Sequence, residues 1–164
     1  CQRGQQWQWG KLQVMILSPR SSSGGDVNED SCVLRISDNQ HSLLLTGDAE
    51  RKAESELIRL PRQLLQSQIL SSPHHGSKSS STPDFIAAVA PDYVVHSAGY
   101  QNRWHHPHPV VLSRYSQSQQ WITAVDGLVS FEFSQNNTDI RPFRRLQPWY
   151  RQMDAWLVGD QPLK

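Results

Sequence analysis

The 164-residue sequence has little of the features that define a class of protein at once. Two cysteines are too few for a disulfide framework, and Cys1 and Cys32 lack the short spacing of a zinc knuckle or a redox motif. Cys32 lies in an apolar run, which predicts a buried and unreactive thiol. The cysteine content therefore does not define the cellular compartment.

Long apolar runs and a strong net charge are also lacking. No run approaches the roughly 18 to 20 residues that cross a bilayer, so no membrane span is predicted. The formal net charge of +1 excludes the overall positive field of a stand-alone nucleic-acid-binding protein. Any contact with DNA would have to be local. The basic cluster Arg141, Arg144, Arg145 and Arg151 is interpreted first as a solvated face, with contact to a DNA backbone as the alternative.

The start of the sequence has neither an initiator Met nor a signal sequence, which predicts a piece of a longer protein. Within it, strand and helix patterns alternate. Strands are predicted at 10–17, 31–37, 41–46, 68–70, 92–96, 121–125 and 128–133, the last two joined by a turn at Asp126-Gly127. Helices are predicted at 49–58, 83–89 with Thr82 as N-cap, and 107–115. This order predicts an α/β (α+β layered) domain over residues 1–147, with polar loops at one sheet rim, and a tail at 148–164 that forms a short helix.

The first candidate for chemistry is Asp48, which follows the apolar run Leu43–Thr46 and Gly47. A carboxylate mounted at a strand end can bridge two cations, because it has two oxygens and a negative charge. The alternative is that Asp48 caps the following helix by accepting from its first free N–H groups. Taken alone, the motif favours the cap.

The second candidate is the His74-His75 pair, followed by Gly76. Two adjacent histidines on a strand cannot both face one point, so one is predicted to bind a metal while its neighbour packs or holds a partner. Imidazole together with carboxylate is the mixture expected at a hydrolytic zinc or manganese site. An exposed loop with incidental histidines is the alternative.

The third candidate is the loop at 102–109, where histidines alternate with prolines. Arg103 offers a phosphate-binding charge beside Trp104, an aromatic surface on which bases could stack. The loop therefore predicts a substrate rim, although an ordinary surface Arg-Trp pair is equally compatible with it. His41 and His96 have no partners at ligand spacing and are interpreted as structural.

Taken in order, these motifs resemble the C-terminal metallo-β-lactamase-like domain of the ComEC family of DNA-uptake (competence) membrane proteins. The resemblance covers nearly the whole chain, through segments 1–9, 28–36, 43–48, 72–78, 97–103 and 106–109 and the Asp126-Gly127 pair. It implies an αββα sandwich with metal ligands on loops at one edge of two packed sheets. In the family loop that precedes His106, a glycine stands where this chain has His105.

The resemblance also implies roles for residues. Asp48 is similar to the acidic ligand shared by two divalent metal ions, zinc or manganese, and one of His74 and His75 is similar to a later histidine ligand, with His106 as a further candidate. Asp48 and His75 are thus the candidate catalytic residues. Candidate substrate contacts are Ser77, Lys78, Asn102, Arg103 and His108.

One family feature is absent: an early His-x-His-x-Asp-His-like cluster that supplies most of the ligands. We therefore expect this chain to be the C-terminal half of such a domain and to bind metal weakly or not at all by itself. The implied activity is that of a metal-dependent nuclease that degrades one DNA strand during uptake, at the extracytoplasmic face of the bacterial cytoplasmic membrane. Its partners would be single-stranded DNA, the missing N-terminal half and the membrane channel of the same protein. The alternatives are a non-catalytic DNA-guiding or assembly domain, and a lactonase-like or phosphorylcholine-esterase-like hydrolase.

Overall fold

A computed structural model describes residues 1–21, 27–134 and 137–143. The strands are β1 (Gln6–Trp9), β2 (Leu12–Ser18), β3 (Val33–Ser37), β4 (Ser42–Leu45), β5 (Ile69–Ser71), β6 (Tyr93–His96), β7 (Gln119–Ile122), β8 (Val129–Ser134) and β9 (Asn137–Pro142). The helices are α1 (Arg51–Leu57), α2 (Arg62–Leu65), α3 (Pro83–Val89), α4 (Pro109–Arg114) and α5 (Thr123–Asp126), and a 3-10 turn spans Pro73–Gly76. The predicted tail helix and Arg144, Arg145 and Arg151 lie outside the described residues.

Seven strands form one sheet in chain order, β1 to β7. The pairs from β1 to β4 are antiparallel, and those from β4 to β7 are parallel. Parallel strands point the same way, so the loops that follow β4, β5 and β6 all leave from one edge of the sheet. The predicted α/β class is confirmed, and so is the placement of polar loops at successive strand ends.

The helices cover one face of this sheet. Leu44, Leu70 and Val94 lie side by side across β4, β5 and β6 and are fully buried. They belong to a core cluster that includes Phe85 of α3 and Tyr115 after α4. Burial of each of the three aliphatic side chains, Leu44, Leu70 and Val94, contributes roughly 1.5–3 kcal/mol to the stability of the fold. The core therefore anchors the strands whose ends carry the candidate residues.

The opposite face of the sheet meets a separate antiparallel hairpin, β8–β9. The Phe131 ring of β8 lies 6.1 Å from Tyr93 and 5.8 Å from Trp121, measured between ring centroids. Helices, large sheet and hairpin therefore stack in the order of the first three layers of an αββα arrangement.

The hairpin predicted at Asp126-Gly127 is wrong. β7 ends at Ile122 and the chain then forms the short helix α5, while β8 pairs with β9 and not with β7. The reason is local: Asp126 is buried, and its Oδ2 accepts a 2.8 Å hydrogen bond from the Ile122 N–H. An Asp-Gly pair favours a two-residue turn only where the Asp side chain is not engaged in this way.

The prediction of a free, buried Cys32 thiol is also wrong, because Cys32 forms a disulfide with Cys1, with 5.8 Å between their Cα atoms. The N-terminus is brought there by hydrogen bonds of the Arg3 and Gly4 N–H groups to the carbonyls of Pro19 and Ile16, at 2.7 and 3.0 Å. A separation of 31 residues carries no local signal of such pairing. Strand β1, whose residues are all exposed, was likewise not predicted.

The start of α1 settles one alternative for Asp48. The N-cap position is held by Glu50, which makes no capping hydrogen bond with its side chain. The free N–H groups of Lys52 and Ala53 instead donate to the carboxylate of Glu29, at 3.2 and 2.5 Å. Asp48 therefore does not cap the helix. The Thr82 cap of α3 is confirmed, since its side chain accepts from the Phe85 N–H.

Glu54 of α1 is a fully buried carboxylate that holds the start of α3. Its two oxygens accept from the N–H groups of Ser81 and Thr82, at 2.5 and 2.8 Å. Burial raises the pKa of Glu54, and these hydrogen bonds together with nearby Arg114 oppose the rise. The contact joins α1 to the end of the loop that begins at Ser72.

We predict that Glu54→Ala lowers the free energy of unfolding by about 3 kcal/mol, because the buried N–H of Ser81 and the partly buried N–H of Thr82 lose their acceptor. Chemical denaturation measures the change. Arg51→Ala is the matched control on the same helix, because Arg51 is exposed, and its effect should stay within about 0.5 kcal/mol. Equal effects of the two substitutions would contradict the assignment.

Candidate functional site at the carboxyl edge of the parallel strands

Backbone hydrogen bonds join the three loops that leave this edge. The His74 N–H donates to the carbonyl of Gly47 at 3.0 Å, which ties the loop after β5 to the loop after β4. The His108 N–H donates to the carbonyl of Gly76 at 2.9 Å, which ties the same loop to the one before α4. Candidate residues far apart in the sequence therefore meet through main-chain contacts.

The turn at 74–76 has an unusual backbone. His74, His75 and Gly76 all have positive φ angles of 47°, 57° and 84°. The left-handed region disfavours residues with a Cβ, and each such histidine costs on the order of 1 kcal/mol. The two histidines therefore lie on a turn and not on a strand, and their rings face different partners.

Gly76 is required by close packing as well as by its φ angle. A Cβ at this position would lie 2.5 Å from Cβ of Pro107 and 3.1 Å from Nδ1 of His96. Only a residue without a side chain lets the two loops approach this closely. Gly76 therefore sets the distance between the His74-His75 turn and the His106 loop.

Asp48 and His75 face each other across two loops. Nε2 of His75 lies 3.2 Å from Oδ1 of Asp48, and both side chains are about half exposed. Nδ1 of His75 lies 2.8 Å from the carbonyl oxygen of Ser97. Because that carbonyl can only accept, Nδ1 carries a proton, and the other ring nitrogen, Nε2, faces the carboxylate. A proton or a metal cation between Nε2 and Oδ1 would satisfy both atoms, and a carbonyl behind the ring is the usual support of a metal-binding histidine.

His74 turns the other way, toward Glu50. Its Nδ1 lies 2.8 Å from Oε1 of Glu50 but is not aligned for a hydrogen bond. Its ring lies 5.9 Å from that of His106, between centroids. The sequence interpretation did not single out Glu50, which is three residues beyond Gly47 and carries a common helix-forming side chain.

His106 is a neutral imidazole near the pair. Burial lowers its pKa, and the neighbouring His74, His75 and His108 lower it further. Its Nδ1 is buried and, among the described residues, has no hydrogen-bond partner. The ring therefore offers a nitrogen that can bind a cation or accept a proton.

The described residues fit part of a metal centre. No group of three or more His, Cys, Asp and Glu side chains in residues 1–21, 27–134 and 137–143 is arranged to hold a metal ion. Asp48 and His75 supply two suitable donors, whereas a hydrolytic zinc site uses three protein ligands and a water. Within the described residues, the Asp48–His75 pair therefore provides two suitable metal donors and lacks the remaining ligands of such a site.

The predicted substrate contacts divide into two groups. Three of them have structural partners. Asn102 hydrogen bonds both the N–H and the carbonyl of His106, and Ser77 is buried with its hydroxyl against that of Ser79. His108 caps α4, because its side chain accepts from the Val110 N–H. Lys78 and Arg103 are exposed. Direct contact with substrate stays a prediction for all five.

A pocket of about 230 Å³ adjoins the pair. It is lined by His75, Ser97, Ala98, Gly99, Asn102, Trp104 and His106. His105, on the same loop, has a φ of 53°, a conformation that glycine adopts more readily. The loop therefore adopts the left-handed conformation at His105 although a histidine is strained there.

No protein-family model matches the chain. The chain is 36% identical over 153 residues to recombination protein 2 of Haemophilus influenzae, covering 92% of this chain and 19% of that protein. It is 41% identical over 110 residues to competence protein ComA of Neisseria gonorrhoeae, covering 67% and 16%, and 37% identical over 110 residues to ComE operon protein 3 of Bacillus subtilis, covering 67% and 14%. The chain thus spans about a fifth or less of the length of these relatives.

Fold and site together define a mixed α/β domain with a histidine–carboxylate pair at the carboxyl edge of its parallel strands. The chain belongs to the ComEC family of competence proteins, as a homologue of one part of them. The metallo-β-lactamase fold protein YhfI of Bacillus subtilis is also similar in structure, with a TM-score of 0.44 and 12% identity over 74% of this chain and 51% of that one.

We predict that Gly76→Ala disrupts the site more than Gly4→Ala, although both glycines have positive φ. The Gly4 position has nothing within 4 Å of an added Cβ and costs only backbone strain, about 1 kcal/mol. Gly76→Ala adds a clash with Pro107, so the total loss should reach about 3 kcal/mol. Thermal unfolding measures both, and equal losses would refute the packing argument.

His96 lies fully buried beneath the turn, with Nε2 3.1 Å from Oε1 of Gln120, and its interpretation as structural agrees with this position. Burial lowers the pKa of His96, so the folded protein takes up its proton at lower pH than the unfolded chain does. The stability that this neutral histidine contributes is present above about pH 6.5 and is lost as the pH falls.

We therefore predict that the stability advantage of wild type over His96→Gln shrinks below pH 6.5, by up to about 1.4 kcal/mol per pH unit. Urea denaturation of both proteins between pH 5 and 8 measures the difference. At pH 7.5 to 8 the difference should be constant, which serves as the internal control. A constant difference down to pH 5 would show that His96 does not stay neutral in the fold.

Proposed function

We propose that the chain is part of a metal-dependent hydrolase domain of a DNA-uptake protein, a nuclease that cleaves phosphodiester bonds of one DNA strand. The observation that carries this proposal is His75, which is held by the Ser97 carbonyl with its other ring nitrogen 3.2 Å from the Asp48 carboxylate. The names of the relatives, a recombination protein and a competence protein among them, support DNA as the substrate.

In this proposal Asp48 and His75 hold zinc or manganese ions, with His74 and His106 as further candidates. The remaining ligands come from a part of the intact protein that this chain does not cover, since the relatives are several times longer. When bound, the ions supply Lewis-acid chemistry for attack on a phosphodiester. This dependence on another segment explains why a chemically suitable pair is incomplete within the described residues.

The chain's own residues orient and bind. The Ser97 carbonyl keeps the proton on Nδ1 of His75 and so keeps Nε2 available. Asn102 fixes the His106 backbone, so that the neutral His106 ring can hold or accept a proton at the site. Arg103 and Lys78 offer positive charge to phosphate oxygens.

The setting follows from the family. We propose that the partners are single-stranded DNA, the rest of the hydrolase domain and the membrane channel of the same protein, at the extracytoplasmic face of the bacterial cytoplasmic membrane. Among the described residues, no helix is both long and apolar enough to span a bilayer. The membrane location thus rests on the family resemblance.

A small-molecule hydrolase, lactonase-like or phosphorylcholine-esterase-like, is the second candidate. It is favoured by the pocket beside His75, which is small and bounded largely by rings, Ala98 and Gly99. A substrate panel separates the two: single-stranded DNA on one side, a lactone and a phosphorylcholine ester on the other.

We predict that the full-length protein cleaves single-stranded DNA in the presence of Mn or Zn, and that Asp48→Ala lowers the rate by about 100-fold or more. Asp92→Ala, a change at an exposed aspartate near the far end of β6, should leave the rate unchanged. Metal content is measured on the same samples.

A wild-type protein that binds no metal would contradict this function and favour a non-catalytic DNA-guiding domain. The same holds for an Asp48→Ala variant that cleaves DNA normally. Turnover of the lactone or ester without cleavage of DNA would favour the small-molecule hydrolase.

A further inference from the structure

Trp104 is a large aromatic side chain exposed beside the Asp48–His75 pair. It is 62% exposed and lines the same pocket as His75 and His106. The guanidinium carbon of Arg103 lies 4.2 Å from the centroid of its ring, a cation–π contact that restrains the indole. An exposed, restrained aromatic ring at the mouth of a pocket is suited to binding a ligand.

The rings of Trp104 and His106 are almost parallel. Their planes differ by 9°, and their centroids lie 6.4 Å apart. His106 is held in place by Asn102, which accepts from its N–H and donates to its carbonyl, both at 2.8 Å. A flat ligand that stacks on Trp104 therefore also lies parallel to the His106 ring.

The pocket has the size and chemistry for one flat ring system. Its volume of about 230 Å³ is below the roughly 300–1,000 Å³ of pockets for drug-sized ligands. Ala98 and Gly99 contribute little polar side-chain surface, and the amide of Asn102 is already engaged with backbone groups. Recognition here must come mainly from stacking, which every nucleobase can provide.

We propose that this Trp104 pocket binds one unpaired nucleobase of a DNA strand. The adjoining phosphodiester then lies toward the Asp48–His75 pair, and the Arg103 guanidinium neutralises phosphate charge. A base in a duplex is already paired and stacked, and moving it into the pocket costs a few kcal/mol. The pocket thereby selects single strands over duplexes, with little preference among sequences. This inference rests on the proposed action on DNA and adds to it the element that recognises the base.

The test compares two probes: an oligothymidylate, and an oligomer of equal length whose sugars carry no bases. In the full-length protein without added metal, wild type should bind the oligothymidylate more tightly. Trp104→Ala should weaken that binding roughly tenfold or more, and should change binding of the abasic oligomer less than twofold. Trp104→Phe should keep most of the affinity, because a phenyl ring also stacks. Trp9→Ala is the matched control, since Trp9 is 71% exposed on β1 and is not part of the pocket.

Equal affinity of wild type for the two probes would overturn the inference, and so would an equal loss on both probes in Trp104→Ala. The result is separable from the proposed hydrolysis. Base-dependent binding through Trp104 without cleavage would support the pocket and reject the nuclease. Cleavage that depends on Asp48, with binding that ignores the bases, would support the nuclease and reject the pocket.

Discussion

The site depends on one close contact between two loops, the packing of Gly76 against Pro107. That contact leaves no room for a Cβ, and the hydrogen bond from the His108 N–H to the Gly76 carbonyl closes it. It brings the His74-His75 turn against the His106 loop, and the bond from His74 to Gly47 then adds the loop that carries Asp48. Three loops are thus positioned by main-chain groups, and the Asp48 carboxylate and Nε2 of His75 take no part in these contacts.

The rest of the domain supports this contact from below. Leu44, Leu70 and Val94 fix the three parallel strands against the helices, and the parallel direction of these strands places their ends at one edge. Glu54 secures the far end of the loop after β5 by holding the Ser81 and Thr82 N–H groups. Because both ends of that loop are fixed, its middle can sustain three consecutive positive φ angles. Strain at a site persists only where the surrounding structure determines the conformation.

The site also carries polar groups that are not satisfied in the way a purely structural loop would be. Nε2 of His75 faces a carboxylate at 3.2 Å, and a buried nitrogen of His106 has no partner within the described residues. Such arrangements cost stability and are retained where a cation, a proton or a substrate completes them. Beside them, the exposed indole of Trp104 and the guanidinium of Arg103 provide stacking and charge. The groups proposed for chemistry and those proposed for recognition are therefore adjacent on one rim.

Local sequence signals determined much of this protein. The apolar runs, the Thr82 cap and the order of strands and loops were enough to predict the α/β class, and the order of motifs was enough to recognise the family, because these signals act over a few residues. The misinterpreted features were the Cys1–Cys32 disulfide and the hairpin that the Asp126 contact replaced. Glu29, which holds the helix start that Asp48 was one candidate to cap, was not foreseen either. These features depend on partners far away in the chain or on side-chain hydrogen bonds. Only the tertiary structure decided which of the two adjacent histidines faces Asp48 and that Trp104 lies parallel to His106. Those facts follow from the φ angles of one turn and from contacts between loops, which no spacing in the sequence records.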